Sequence, residues 1–414
     1  MKLLKSLKII TLMTAITTMV PIASIHAAAE INFKDTQGHW AEADIQIAAK
    51  KGYVDGYVDE TFKPNNSITR AEFVKMLVTG LAFKTDPSNS EYWHSQFLAS
   101  AQANGLITSG ETGTDKDLNR NILREEMAKI AVRGTGTTTD EDTKWMYLAT
   151  SNGIITGLNE SGELGMDKPT TRAEAITVIE RILKIRAGTR LPADKYATSE
   201  AEIAWHHTNV FSMAPEYFGN GVRTGSKFRW DWTRFANENG YSEVEKYVVI
   251  DMDDPRDPNR KLIPENFRWN MKVGNTRTVR SDVPDNTYVF LSFNHFVRYD
   301  SSQRNPSFAF ANLNLSPVKL KTGDNVDSAN KLINIVSYVP YLNSGTEYYY
   351  ANGIIELAPN TSEVSIITGQ ISPKNLRIEN DSDVAIYKRS AQGLGDKSDP
   401  IIFASHYESF GEVE

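Results

Sequence analysis

Three arginines carry the most pointed chemistry in this chain. Arg70, Arg124 and Arg172 each stand at the opening of a helix-period run. The positive end of a helix macrodipole disfavours a cation there by up to roughly 1 kcal/mol. A residue type that recurs against a local penalty needs another reason. A guanidinium beside free helix amides suits a carboxylate or a phosphate, so the pattern predicts anion recognition. Three solvated arginines are the plainer alternative. Two of them lie in Thr69-Arg70-Ala71-Glu72 and Thr171-Arg172-Ala173-Glu174, where threonine caps the N3 amide and glutamate reaches back to the threonine amide. That box accounts for Thr and Glu and leaves Arg unexplained. In Leu123-Arg124-Glu125-Glu126 the threonine is gone and the arginine remains.

The elements that must hold these arginines recur with a period of roughly 50 residues. In each unit a helix-period run ends at Gly52, Gly105 or Gly153, and a second glycine follows at Gly56, Gly110 or Gly157. Glycine suits a helix end because it enters the left-handed conformation without strain. The second helix opens 18 residues after Gly52 and 19 after Gly105 and Gly153. Behind each arginine runs an apolar stripe: Phe73 and Leu77; Met127, Ile130 and Ala131; Ile176, Ile179 and Leu183. Such spacing marks one buried helix face. Each unit buries little surface alone, so the units are expected to pack together. Trp40 and Trp93 stand 12 residues before the first glycine of their units, and Trp145 stands 8 before its own. An indole is either a platform for a sugar ring or a core filler.

The segment from Phe33-Lys34-Asp35 through Trp40, Gly52, Gly56 and Ile68-Thr69-Arg70-Ala71-Glu72 resembles an S-layer homology repeat. The resemblance extends over residues 32–187, divided as 30–86, 87–136 and 137–187. It implies an α-helical, pseudo-threefold bundle with ligand grooves between neighbouring repeats. It also implies binding of a secondary cell-wall polysaccharide whose pyruvate ketal carboxylate meets the motif arginine, here Arg70, Arg124 and Arg172. Asp35, Trp40 and Trp93 match the family's aspartate and aromatic near the repeat start. Backbone near Gly56, Gly110 and Gly157 would donate amides. The second unit lacks the Thr and the Ala of the motif, and the third lacks a tryptophan at the usual place, so the grooves are not expected to bind equally.

The first residues fit export. Lys2, Lys5 and Lys8 precede an apolar stretch ending in Ala27-Ala28-Ala29, the small-residue pattern of a signal peptide over 1–29. Pro21 and four threonines interrupt that stretch, which argues against a membrane anchor. Removing three lysines would take the net charge from -7 to about -10. Acidity disfavours a nucleic-acid partner on bulk electrostatics. The absence of cysteine excludes disulfides and Cys-ligated metal sites.

After a linker expected over 188–199, short β-branched and aromatic runs dominate at 247–250, 288–293, 332–339, 347–357, 363–368, 384–388 and 401–406. They predict an all-β, sandwich-like domain over 200–414. Chemistry there is sparse, with no zinc-protease, nucleophile-elbow or phosphate-loop motif. His206, His207, His295 and His406 show no metal-ligand spacing. Asp251, Asp253, Asp254 and Asp257 form a calcium candidate, although the loop glycine and distal glutamate of an EF-hand are missing. Phe228, Trp230, Trp232, Phe267 and Trp269 are core candidates or a contact surface. The whole reads as a non-catalytic surface protein, anchored by its N-terminal units, with an outward β domain for contact with other surface-layer proteins. The alternative is an anchored polysaccharide or cell-wall hydrolase, whose paired carboxylates are recognisable only in three dimensions.

Overall fold

The structure, a computed structural model, describes residues 32–218, 233–302, 312–317, 324–326, 328–329, 331–332, 334–337, 348–351, 354–374, 384–389 and 400–404. The expected signal peptide, the aromatic run at 228–232 and His406 lie outside these residues.

The N-terminal region is helical: α1 (Glu42–Lys51), α2 (Arg70–Gly80), α3 (Ser95–Ala103), α4 (Asp115–Leu118), α5 (Arg124–Gly134), α6 (Trp145–Ser151) and α7 (Arg172–Arg186). Local chemistry sets their ends. Helix α1 opens on Glu42 and Asp44 and closes on Lys50 and Lys51, both in accord with the macrodipole. Gly52, Gly105 and Gly153 then turn the chain at φ of 75°, 71° and 69°, the left-handed region that glycine enters freely. At α2 the Glu72 amide donates to Thr69 Oγ1 at 3.2 Å and the Thr69 amide donates to Glu72 Oε2 at 2.7 Å. Thr171 and Glu174 repeat this at α7, at 3.2 and 2.8 Å. At α5 half the box survives: Leu123 has no hydroxyl, yet its amide still donates to Glu126 Oε2 at 3.1 Å.

The residue two places before each arginine links the units. The Ile68 amide donates to Thr170 O at 3.0 Å, Thr170 to Ile122 O at 2.9 Å, and Ile122 back to Ile68 O at 3.0 Å. This closed ring is buried, so its backbone groups must pair with one another. Around it the apolar stripes of α2, α5 and α7 meet in one core extending from Ala41 to Ala201. Phe73, Leu77, Met127, Ile130, Ile176 and Ile179 are all buried there. One carboxylate also lies in this region: Glu180, on α7, accepts from the Tyr53 hydroxyl at 2.9 Å and from Lys51 Nζ at 2.7 Å.

The expected linker is corrected. Residues 195–199 open a helix, α8 (Lys195–His206), followed by α9 (Val210–Met213) and α10 (Pro215–Phe218). Asp194 starts α8 by accepting from the Ala197 amide at 3.1 Å. Ala197 and Ala201 pack into the helical core while Tyr196 packs into the next one. A single half-buried helix therefore packs into both cores.

Strands follow: β1 (Arg234–Asn237), β2 (Gly240–Asp251), β3 (Trp269–Val273), β4 (Thr276–Arg280), β5 (Thr287–Arg298), β6 (Asn312–Pro317), β7 (Val336–Ser337), β8 (Tyr348–Ala351), β9 (Ile354–Leu357), β10 (Glu363–Pro373), β11 (Val384–Arg389) and β12 (Pro400–Ala404). The main sheet is antiparallel in the order β1-β2-β5-β10-β7, and β12-β11-β6 form a second sheet. Hairpins β3-β4 and β8-β9 each form a separate two-stranded sheet. Alternate residues of β2 face different cores. Tyr247 and Val249 pack with Val210, Met213 and Ile386, whereas Val248 and Ile250 pack with Trp269, Met271 and Val336. A sheet covered on both faces explains why 287–292 is buried at every position. The all-β expectation is thus amended: α8 to α10 belong to this half, and α9 and α10 cover part of one sheet face. Phe267 and Trp269 are core residues.

Candidate functional site

Arg124 and Arg172 each hydrogen-bond across a seam to another unit, whereas Arg70 lines a cleft. Arg124 is buried, and each of its guanidinium nitrogens has a protein acceptor: Nε donates to Leu164 O at 2.8 Å, Nη1 to Glu174 Oε1 at 2.8 Å and Nη2 to Thr156 O at 2.9 Å. Burial pulls this guanidinium below its ordinary pKa, and Glu174 offsets only part of that. Arg172 donates from Nε to Phe62 O at 3.0 Å and from Nη2 to Asp55 O at 3.2 Å. It also lies over the Phe62 and Tyr57 rings, at 4.5 and 5.3 Å. Arg70 is also buried, but its Nε has no hydrogen-bond partner among the described residues. A buried donor left unpaired is costly, so Arg70 is the motif arginine with an unmet demand.

Arg70 lines a cleft of about 370 Å³. Along its walls are Glu111, Glu125, Glu126, Lys129, Arg133, Asp142 and Trp145. Lys129 bridges Glu111 and Asp142, both at 2.8 Å, and Arg133 holds Glu111 at 2.6 Å. Burial on its own would raise the Glu111 carboxyl; the hydrogen bonds from Arg133 and Lys129 outweigh it and hold the pKa at about 2. Trp145 is buried, with Arg133 4.8 Å and Lys129 5.7 Å from its ring centre. The cleft thus offers charged groups of both signs beside an indole.

Trp40 and Trp93 are the exposed aromatics of the repeat starts, at 64% and 50% of full exposure. They are free to act as platforms, unlike Trp145. Asp35 has another task. Its carboxylate accepts from the Phe62 amide at 2.7 Å and the Lys63 amide at 2.8 Å, organising the loop beneath Arg172. Of the turn glycines, a Cβ on Gly56 would strike the Phe33 ring at 2.2 Å and one on Gly157 would strike Gly162 Cα at 2.5 Å. Gly110 meets nothing and sits in a short 3₁₀ turn, Ser109–Glu111. The Gly157 amide donates to Asp194 Oδ2 at 3.0 Å. Residue type and spacing missed Asp194, Glu111, Lys129 and Arg133, because each acts through a partner distant in sequence.

The calcium candidate is overturned. Asp251 binds Lys195 at 2.8 Å and also Lys374, and Lys374 reaches Asp253 at 3.0 Å. Asp254 pairs with Arg256 at 2.9 Å, and Asp257 accepts from the Asp251 and Asn259 amides. Resident cations and amides have taken the oxygens a metal would need. Among the described residues no group of three or more His, Asp or Glu is arranged to hold a metal ion. His206 bonds Glu202 at 3.2 Å and His295 bonds Ser365 at 3.2 Å.

Residues 32–74 match the family model described as the S-layer homology domain. The chain therefore carries an S-layer homology domain, and that domain places it at the cell surface or wall as an anchored protein. It is similar to Exoglucanase XynX of Acetivibrio thermocellus, 29% identical over 180 residues, covering 37% of this chain and 16% of that protein. It is also similar to the Surface-layer 125 kDa protein of Lysinibacillus sphaericus, 29% identical over 138 residues, covering 31% of this chain and 12% of that protein. A Cellulosome-anchoring protein of Acetivibrio thermocellus is 52% identical over 44 residues, covering 11% of this chain and 10% of that protein. The chain spans a sixth or less of the length of these relatives. No helix among the described residues is long and apolar enough to cross a membrane.

Proposed function

We propose that this protein is held non-covalently on the cell wall by three tandem S-layer homology units, 30–86, 87–136 and 137–187. They form a pseudo-threefold bundle about the Ile68, Ile122 and Thr170 ring, and they bind an acidic secondary cell-wall polysaccharide. Its pyruvate ketal carboxylate docks on Arg70, while Trp40 and Trp93 offer faces for sugar rings. The observation that carries this reading is the buried Arg70, its Nε unpartnered among the described residues, in the lining of a cleft that also holds Trp145 and charged groups of both signs. The β-rich half, from α8 onward, is an outward contact or assembly domain. Purified wall should pellet the full chain, and acid removal of ketal pyruvate from that wall should abolish pelleting. Undiminished pelleting rejects the ligand chemistry.

A second reading, an anchored hydrolase, is favoured by a cleft of about 550 Å³ on the β-rich half, where Glu265 and Asp285 line the walls beside Trp269. Exoglucanase and amylopullulanase relatives support it. A zymogram on wall and glycan substrates separates the two: clearing supports the enzyme, and its absence leaves the binder.

A further inference from the structure

The cleft that Arg70 lines is not walled by the three repeat units alone. Ala204, on α8, lines it together with Asp142, Thr143 and Trp145. Helix α8 lies wholly beyond the third unit, and its sequence explains how it gets there. Ala197, Ala201, Ala204 and Trp205 recur at i, i+4, i+7 and i+8, one face of a helix. Ala197 and Ala201 are buried in the helical core, and Ala204, further along the same face, is exposed in the cleft. Trp205 then fastens this end of the helix to the segment that carries Asp142 and Thr143. Its indole N–H donates to Glu141 Oε2 at 2.8 Å, and its carbonyl accepts from Thr143 Oγ1 at 3.4 Å. Its ring lies 4.9 Å from that of Tyr147, and Lys144 Nζ stands 4.1 Å from its ring centre. Beyond the helix end Asn209 holds β2, accepting from the Val249 amide at 2.7 Å and donating to Val249 O at 2.9 Å.

We infer that α8 completes the polysaccharide site: Ala204 is a wall against which the ligand packs, and Trp205 is the positioning residue that holds that wall in place. This role rests on the polysaccharide reading given above. A methyl group at 204 leaves the space open to a sugar ring, and a larger side chain would take it. Fixing the wall before the ligand arrives spares the cost of ordering it on binding. Because the segment after α8 is bonded to β2, the outer half helps to keep this wall rigid. Repeats cut off before Asp194 would carry an incomplete cleft.

The test titrates the full chain with purified wall polysaccharide. Ala204→Leu should lower affinity about tenfold with an unchanged urea midpoint, because position 204 is exposed in the free protein. Trp205→Ala should lower affinity as well. Trp205→Phe keeps a ring against Tyr147, loses the bond to Glu141, and should recover much of it. Full affinity in a folded Trp205→Ala protein overturns the positioning role. Full affinity in Ala204→Leu, with Arg70→Ala impaired, overturns the α8 wall and spares the polysaccharide reading. Absence of binding by the unchanged protein overturns both. Hydrogen exchange on the unchanged protein needs no variant. Saturating polysaccharide should slow exchange at 203–207 together with 142–147. Protection confined to the repeat units contradicts the α8 wall.

Discussion

Arg124 donates to the Glu174 carboxylate at 2.8 Å across the seam between the second and third units. The same glutamate completes the Thr171 cap, so one side chain serves both a helix start and a unit boundary. The Arg124 side chain is 5% exposed and that of Glu174 is 22%. Breaking such a pair leaves an uncompensated charge, at a cost of about 3–5 kcal/mol. Arg124→Ala is therefore expected to lower unfolding stability by about 3 kcal/mol, read as a shifted urea midpoint with an unchanged slope. A loss of under about 1 kcal/mol would reduce this contact to a surface ion pair.

The two glycine turns that resemble each other in sequence should respond differently to alanine. Gly157→Ala drives a methyl into Gly162 and is expected to cost about 1–3 kcal/mol. Gly110→Ala meets open space and should be nearly neutral. Thermal melts of the two variants check this. Equal losses would contradict the packing described for the third unit.

Acid should weaken the cleft wall. The Glu111 pKa is held near 2, against an ordinary 4.5, by Arg133 and Lys129 despite opposing burial. A depressed carboxyl contributes stability that is fully present above its unfolded value and lost as pH falls through its folded one. The Glu111 contribution should thus hold at neutral pH and fade between 4.5 and about 2. Glu111→Gln should destabilise by on the order of 1 kcal/mol at neutral pH after allowance for solvent screening, with a smaller difference in acid. Paired urea titrations at the two pH values read this directly, and a gap that widens in acid would reverse the sign.

Tyr53→Phe removes a hydrogen bond to the buried Glu180. Burial raises the Tyr53 hydroxyl pKa, and the adjacent carboxylate raises it further, so the group is a fixed donor. The loss should be about 1.5–3 kcal/mol, the range for a bond to a charged group, measured by denaturant unfolding. A neutral substitution would mean that Lys51 alone satisfies Glu180.

Where the controlling chemistry is local, the chain was readable. Thr69 and Thr171 announce helix starts because cap and backbone lie three residues apart, and Gly52, Gly105 and Gly153 announce ends through a conformation glycine favours. The arginines were recognisable as misplaced for their helices, but their partners were not. Carbonyls of Asp55, Phe62, Thr156 and Leu164 are backbone groups, present at every residue, and leave no trace in residue type. The aspartates at 251–257 looked like an ion site because Lys195 and Lys374, which neutralise them, come from distant segments. Helix α8 opens inside the stretch expected to be a linker, although Asp194 ahead of an alanine-containing run is an ordinary start signal.

Arg70 decides the account. Titration of the full chain with purified wall polysaccharide, for the unchanged protein and Arg70→Ala, tests it most directly. Because Arg70 Nε has no acceptor among the described residues, the variant should keep its unfolding stability far better than Arg124→Ala. It should lose about 2 kcal/mol of binding free energy or more, roughly 30-fold in affinity. Unchanged affinity in a folded Arg70→Ala protein contradicts the proposal that this guanidinium grips the acidic sugar.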